Sequence, residues 1–210
     1  MTETDVVWVN IPGTSLMDVQ IHLGVHRICH QLPTTSNTNA AVIAWSQGNL
    51  NPQWSFKYWP STRVVVDDFI SISPDFYGTV VADSVCPLLS GVFCTPSIIQ
   101  QRWEKEFIST LRVDGGDSAY VPTTTLYSSF DEIVQPTSGE NAPAIINDAR
   151  NVGVSNNHVQ TVCTSQSGVG IYIHEVMLYH PLSWALAVDA LRHDGPGDVF
   201  ALIQSAFVRT

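Results

Sequence analysis

Short apolar runs recur along the chain, separated by turn residues, and predict buried β-strands. Five runs carry this pattern, at residues 6–10, 41–44, 64–72, 120–127 and 159–163. The run at 41–44 is continuously apolar, as in strands buried on both faces of a parallel sheet. The first run ends at the turn Pro12-Gly13.

Longer stretches between these runs predict helices. They cover residues 18–31, the segment between Gly48 and Pro60, residues 95–113, residues 174–191 with a break at Pro181, and a last segment after Gly195-Pro196-Gly197. Thr95 and Pro96 suit a first helical turn, and Gly115 suits a helix end. Residues 75–93 are rich in turn formers and predict a loop. Strands that alternate with helices predict an α/β fold with a mostly parallel sheet.

Length and composition narrow the class of protein. The 210 residues suit a single domain over 1–210, in which residues 76–95 would form a cap or lid. A net charge of −10 argues against nucleic acids and anionic membranes as partners, since both bind clustered Lys and Arg. No apolar stretch approaches the ~18 residues of a membrane span, so stable membrane insertion is not expected. Residues 1–5 lack the features of a signal peptide.

The positions of the cysteines and histidines do not indicate a metal site. The cysteines Cys29, Cys86, Cys94 and Cys163 are too few to define a metal site or a disulfide framework. Cys86 and Cys94 would close a small loop in an oxidising compartment, and separate buried thiols explain them equally well. His22, His26 and His30 share one face of the predicted helix without carboxylates in register. We therefore predict no metal and no cofactor.

The segment 41–48 combines a buried strand, a tight turn and a helix start around Ser46. This is the context of a nucleophile elbow, in which a strained turn exposes a serine hydroxyl above the sheet. Gly48 supplies a small residue after the serine, which would let strand and helix approach closely. Ala44 stands where the usual pattern has glycine. An ordinary turn serine is the alternative interpretation.

A nucleophilic serine needs a base and a carboxylate that orients the base. In this fold they follow the serine in the order acid, then histidine. Asp131 comes after the strand at 120–127 and suits the acid, with Glu132 as its competitor. His174 follows an apolar run and suits the base. By chain order alone, the base could equally well be His158, His180 or His193.

Several segments resemble the fungal lipase B family. They are Trp45-Ser46-Gln47-Gly48, Pro74-Asp75-Phe76-Tyr77-Gly78-Thr79, Val121-Pro122-Thr123-Thr124 and Asp131-Glu132-Ile133-Val134-Gln135-Pro136. The resemblance extends from about Trp8 to about Leu191. It implies an α/β-hydrolase fold in which Ser46 is the nucleophile, Asp131 the acid and His174 the base. Because the family carries threonine where Ala44 stands, the missing glycine does not count against the elbow.

The resemblance implies a carboxylic-ester hydrolase that acts on lipid or small ester substrates through an acyl-enzyme and meets lipid interfaces outside the cell. The backbone N–H of Gln47 would donate to the oxyanion. Trp45, Asp75 and Gln101 match residues that line the family's pocket, although packing alone explains Trp45 and Gln101 equally well. Oligomeric state is not indicated by the sequence.

Both ends of the chain depart from the family pattern. Pro12-Gly13-Thr14 looks like the family's oxyanion loop, but it lies too close to Ser46 for the intervening helix, strand and helix. We therefore expect that this turn does not donate an N–H toward Ser46, and that the chain is truncated at both ends. The missing extension would leave Cys163 unpaired. The alternative function is a non-catalytic or weakly active protein that binds acyl ligands.

Overall fold

The computed structural model describes residues 6–14, 39–88, 94–103, 105–162 and 170–202. Within these ranges, four strands form one sheet in the order β1-β2-β3-β4. The strands are β1 (Ala40–Trp45), β2 (Val66–Ile72), β3 (Thr123–Tyr127) and β4 (Val154–His158). All three pairings are parallel, so the carboxyl ends of the strands meet at one edge of the sheet.

Helices connect and cover the strands. They are α1 (Leu50–Tyr58), α2 (Val80–Val85), α3 (Pro96–Gln100), α4 (Glu106–Arg112), α5 (Val159–Val162) and α6 (Pro181–Ala190). Single 3-10 turns lie at Ser46–Asn49, Pro60–Val64 and Val176–Tyr179. The predicted α/β class with a parallel sheet is confirmed. The predicted helix at 18–31, its histidines, Cys29 and Cys163 lie outside the described residues.

Strand β2 forms the centre of the core, because its side chains are buried on both faces of the sheet. Phe69 points to one face, where it packs in a cluster with Phe56 of α1. Its neighbour Ile70 points to the other face and packs with Leu186 of α6. Each such side chain contributes about 1.5–3 kcal/mol on burial. Helices α1 and α6 therefore cover opposite faces of the sheet.

Two predicted strands are wrong. Residues 6–10 are not in a strand, and Val6, Val7 and Trp8 are exposed. No described strand pairs with this segment to satisfy its backbone groups. Residues 159–162 form α5 instead of a strand, and β4 lies just before them. The β4 sequence is mostly Ser and Asn, so it lacks the apolar signal of a strand.

The predicted helix at 95–113 is divided into α3 and α4. Between them, Arg102 forms a parallel bridge with Thr79. Gly78 makes this approach possible, since a Cβ at its φ of +75° would lie 2.4 Å from the carbonyl oxygen of Gln101. The predicted loop at 75–93 contains α2, and residues 89–93 of it are outside the described ranges.

Other boundaries shift by a few residues. Strand β2 begins at Val66 because the 3-10 turn occupies 60–64, and β3 begins after Pro122. At Pro181 the chain starts α6 rather than interrupting a longer helix, and His180 caps it. Cys86 and Cys94 form a disulfide, which resolves the alternative that the sequence left open.

Candidate active site

The elbow after β1 puts Ser46 at the carboxyl edge of the sheet. Ser46 has a φ of 54°, in the left-handed region that non-glycine residues rarely adopt. A 3-10 turn and then α1 follow directly. This is the strained strand–turn–helix geometry of a nucleophile elbow. Gly48 does not have the predicted spacing role, since an added Cβ there meets no described atom within 4 Å.

Asn49 holds the elbow against the end of β2. Its fully buried amide donates to the carbonyl oxygens of Ser46 and Ile72 at 2.8 and 3.1 Å. Its Oδ1 accepts a hydrogen bond from Ser71 Oγ at 2.6 Å. These three bonds explain how the positive φ of Ser46 is maintained. Asn49 could not be predicted from the sequence, because a single asparagine after a turn carries no distinctive pattern.

Ser46, His174 and Asp131 form one hydrogen-bonded chain. Ser46 Oγ lies 2.8 Å from His174 Nε2, and His174 Nδ1 lies 2.8 Å from Asp131 Oδ2. Asp131 and His174 are buried. Asp131 Oδ1 accepts the backbone N–H groups of Ile133 and Val134 at 3.0 and 2.8 Å. The carboxylate is therefore fixed on one oxygen and faces the imidazole with the other.

Glu132, the competing acid, contacts the same histidine at a different point. Its Oε2 accepts the backbone N–H of His174 at 2.9 Å. Asp131 alone reaches the ring, and Glu132 fixes the backbone on which the ring is mounted. Chain order alone did not separate these two neighbouring carboxylates, because the division between them depends on a loop from a distant part of the chain.

The other candidate histidines of the described chain have different partners. His158 Nε2 lies 2.7 Å from Ser129 Oγ. His180 accepts the Leu182 N–H at 3.0 Å as the cap of α6. His193 Nε2 lies 2.9 Å from an Asp189 oxygen, and this bond raises the pKa of His193. Among the described histidines, His174 is the one that is placed next to Ser46.

Trp45 packs on the base. Its indole ring lies 5.0 Å from the His174 ring, centroid to centroid, and its Nε1 donates to the His174 carbonyl oxygen at 3.3 Å. The ring remains 36% exposed, so one part of it faces solvent beside Ser46. The structure therefore gives Trp45 a packing role next to the nucleophile and leaves a surface that a substrate can contact.

Asp75 is fully buried beneath the same edge of the sheet. Neither carboxyl oxygen has a hydrogen-bond partner from another described residue. Burial raises the pKa of this carboxyl to about 7; the charge of Asp131 also raises it, and His174 opposes the shift. Asp75 is thus a carboxyl that is largely neutral below pH 7, next to the Ser46–His174–Asp131 chain.

Gln47 and Gln101 contact each other. Gln101 Nε2 donates to Gln47 Oε1 at 2.6 Å, and Gln47 Nε2 donates to the Gly13 carbonyl oxygen at 2.8 Å. The turn Pro12-Gly13-Thr14 therefore lies beside the elbow, and it contacts Gln47 through a carbonyl oxygen rather than an N–H. Proximity to the elbow was not expected from the sequence.

Within the described ranges, no three His, Cys, Asp or Glu side chains lie together as ligands of a metal ion would. No helix in these ranges is long and apolar enough to cross a membrane.

A parallel sheet with helices on both faces and a serine on the turn after a strand defines the α/β-hydrolase fold. Lipase B of Pseudozyma antarctica is 38% identical to this chain over 131 residues, which are 61% of this chain and 37% of that protein. The crystal structure of Aspergillus fumigatus lipase B superposes with a TM-score of 0.87 at 59% identity, over 93% of this chain and 47% of that one. No protein-family model matches the chain.

These matches cover most of this chain, so the chain is similar in sequence and in fold to fungal lipase B proteins. It spans about half the length of the Aspergillus protein and less of the Pseudozyma protein.

Proposed function

We propose that this chain carries the active site of a serine ester hydrolase, with Ser46 as nucleophile, His174 as general base and Asp131 as the acid that orients the base. The observation that carries the proposal is the continuous path from Ser46 Oγ through the His174 ring to Asp131, with both contacts at 2.8 Å. The relatives that it matches are named lipase B.

The geometry supports acyl transfer through a covalent intermediate. His174 Nε2 accepts the Ser46 proton while Oγ attacks the ester carbonyl carbon, and Asp131 stabilises the resulting imidazolium. The backbone N–H of Gln47 donates to the oxyanion. The tetrahedral adduct collapses, His174 protonates the leaving alcohol, and an acyl-Ser46 remains. Water, deprotonated by His174, then attacks the acyl carbon and releases the acid.

Exposed apolar side chains next to the three residues support an apolar ester as the substrate. Trp45 precedes Ser46, Ile133 follows Asp131 by two positions, and Ile171 and Ile173 precede His174; all four are exposed to 36% or more. Apolar groups clustered around a reacting serine favour acyl chains and lipid interfaces over charged ligands. A net charge of −10 further favours neutral substrates.

The Cys86–Cys94 disulfide supports an extracellular location. Disulfides persist in oxidising compartments and are rare in the reducing cytosol. The enzyme is therefore proposed to act outside the cell, where lipid esters are met as droplets or surfaces.

Hydrolysis of p-nitrophenyl butyrate tests the proposal directly. The wild-type chain is expected to release p-nitrophenol and to be labelled by a fluorophosphonate, and Ser46→Ala is expected to lose both. Ser129→Ala is the matched control, because Ser129 also contacts a histidine, His158, that is not placed next to Ser46. Undiminished hydrolysis or labelling of Ser46→Ala contradicts the proposal. A folded wild-type chain that binds an acyl ligand without turnover supports the acyl-binding alternative.

A further inference from the structure

The turn at residues 11–14 is anchored to the elbow through one backbone carbonyl. Gly13 O accepts hydrogen bonds from Gln47 Nε2 at 2.8 Å and from Ser97 Oγ at 2.7 Å. A carbonyl oxygen has two lone pairs, and these two donors occupy both. The donors come from positions 34 and 84 residues away in the sequence. The contact therefore joins three distant parts of the chain beside Ser46.

A second hydroxyl supports this anchor. Ser97 Oγ has one proton, which it donates to Gly13, so Thr95 Oγ1 must be the donor in the 3.1 Å contact between the two hydroxyls. Ser97 is completely buried. Hydrogen bonds in such surroundings reinforce one another, and their loss leaves buried groups unpaired. Thr95, Ser97 and the Gly13 carbonyl thus form a directed chain.

Gln101 holds the other end of the Gln47 side chain. Its Nε2 has two protons, and these go to Gln47 Oε1 at 2.6 Å and to the Ser97 carbonyl oxygen at 3.0 Å. Ser97 and Gln101 are four positions apart, on α3 and directly after it, so they share one face of that helix. Both ends of the Gln47 amide are consequently held by residues outside the elbow.

We propose that Ser97 and Gln101 are positioning residues for the ester hydrolysis described above, and this inference rests on that proposed function. They act through the side chain of Gln47 and the Gly13 turn. Fixing the Gln47 side chain fixes the peptide that follows Ser46, whose N–H is the proposed donor to the oxyanion. The two N–H groups of Gln101 are used in this way and are not available to a substrate.

The effect is expected in kcat rather than in KM. The oxyanion exists only in the transition state, so a displaced donor weakens transition-state binding and leaves ground-state binding nearly unchanged. Complete loss of an oxyanion donor costs about 10²–10³-fold in kcat. An oxyanion donor that is displaced but not removed is expected to lower kcat by about tenfold, which is less than the loss for complete removal.

The test compares Ser97→Ala and Gln101→Met with Ser55→Ala. Ser55 is an equally buried serine, but its hydroxyl bonds to the Asn51 carbonyl oxygen within α1 at 2.7 Å. For each variant, kcat and KM are measured with p-nitrophenyl butyrate at a temperature where all variants are folded. Hydrogen–deuterium exchange of the amides at 11–14 is measured in parallel. A double-mutant cycle adds Gln47→Met to Gln101→Met.

The expected result is a roughly tenfold lower kcat with an unchanged KM in Ser97→Ala and Gln101→Met, faster exchange at 11–14, and no change in Ser55→Ala. The double variant should lose no more than the larger single loss, since both substitutions break the same contact. If Ser46→Ala abolishes hydrolysis but the two variants match Ser55→Ala, this inference is wrong and the proposed function stands. If Ser46→Ala hydrolyses at the wild-type rate, the proposed function fails, and this inference fails with it.

Discussion

Asp131 has a specific orientation because its two carboxylate oxygens have different hydrogen-bond partners. One oxygen accepts two backbone N–H groups, and the other faces the His174 ring. A carboxylate held in this way sets the tautomer of the imidazole, with the proton on Nδ1 and the lone pair of Nε2 toward Ser46. In the proposed mechanism, the hydrogen-bond pattern around Asp131 therefore decides whether His174 can deprotonate Ser46.

Asp131→Asn is expected to separate this role from stability. The amide oxygen can keep both backbone bonds, which leaves an NH₂ group facing His174 Nδ1. That nitrogen must then accept, so Nε2 carries the proton and cannot receive the one from Ser46. We expect kcat for p-nitrophenyl butyrate to fall by about 10⁴-fold with a small change in Tm. A kcat within tenfold of the wild type would show that Asp131 does not orient the base.

Asp75 gives the protein a pH-dependent stability of known sign. Its pKa in the folded chain is about 7, above the ordinary value of 3.8, so between these pH values the folded chain keeps a proton that the unfolded chain has lost. The contribution of this group is therefore present at pH 4 and is lost as the pH rises to about 7.

Urea unfolding at pH 5 and pH 8 measures this contribution, with Asp75→Asn as the comparison. The wild type is expected to lose more unfolding free energy between the two pH values than Asp75→Asn does, since the amide cannot titrate. Equal losses in both proteins would mean that Asp75 is not buried in its neutral form.

At the level of elements, the sequence predicted what depends on apolar periodicity and missed what depends on side-chain hydrogen bonds. Strands β1 and β2 are apolar, and their positions were predicted within two residues. Strand β4 was missed because its Asn157 amide bonds to the Thr125 carbonyl oxygen of β3 instead of packing in a core. The break between α3 and α4 was missed because it depends on the bridge of Arg102 with Thr79.

The candidate site divides in the same way. Ser46 could be predicted from a strand, turn and helix, and the acid and base from chain order together with a family resemblance. The partners Asn49, Ser97 and Gly13 could not be predicted, because contacts such as Asn49 with Ile72 and Ser97 with Gly13 join segments that only the folded chain brings together. Local sequence indicates the reacting groups, whereas their supports come from distant segments.

The disulfide is the element-level feature most open to test. It links the residue after α2 to the residue before the Thr95 cap of α3. Closing a loop with a sequence separation of 8 stabilises the fold by about 2 kcal/mol in the chain-entropy description.

The double variant Cys86→Ser/Cys94→Ser is expected to lower Tm by about 4–8 °C, because a ΔΔG of 1 kcal/mol corresponds to about 2–4 °C at this size. Thermal melts with and without dithiothreitol provide the measurement and the control. The reductant should lower the Tm of the wild type to that of the variant and leave the variant unchanged. A wild-type Tm that is insensitive to reduction would contradict the expected contribution.

At the scale of the whole molecule, charge and topology act together. The net charge of −10 disfavours the binding of anionic partners. The reacting groups come from the loops after β1 and β3 and from the segment before α6. The proposed activity therefore requires that segments from both halves of the chain are assembled, and a local defect in either half is expected to remove that activity.

The parallel order of the strands also determines how the chain reaches this state. Ala40 of β1 pairs with Val66 of β2, and Phe69 of β2 pairs with Thr123 of β3. Thr123 in turn pairs with Val154 of β4. Each pairing closes a long stretch of chain, and no hairpin is available among the described strands to nucleate the sheet. Closing these loops costs conformational entropy before the strands gain any pairing contacts, so renaturation is slow. Apolar strands stay exposed during this time. The yield of protein refolded from denaturant should consequently be highest at high dilution, where partly folded chains rarely collide.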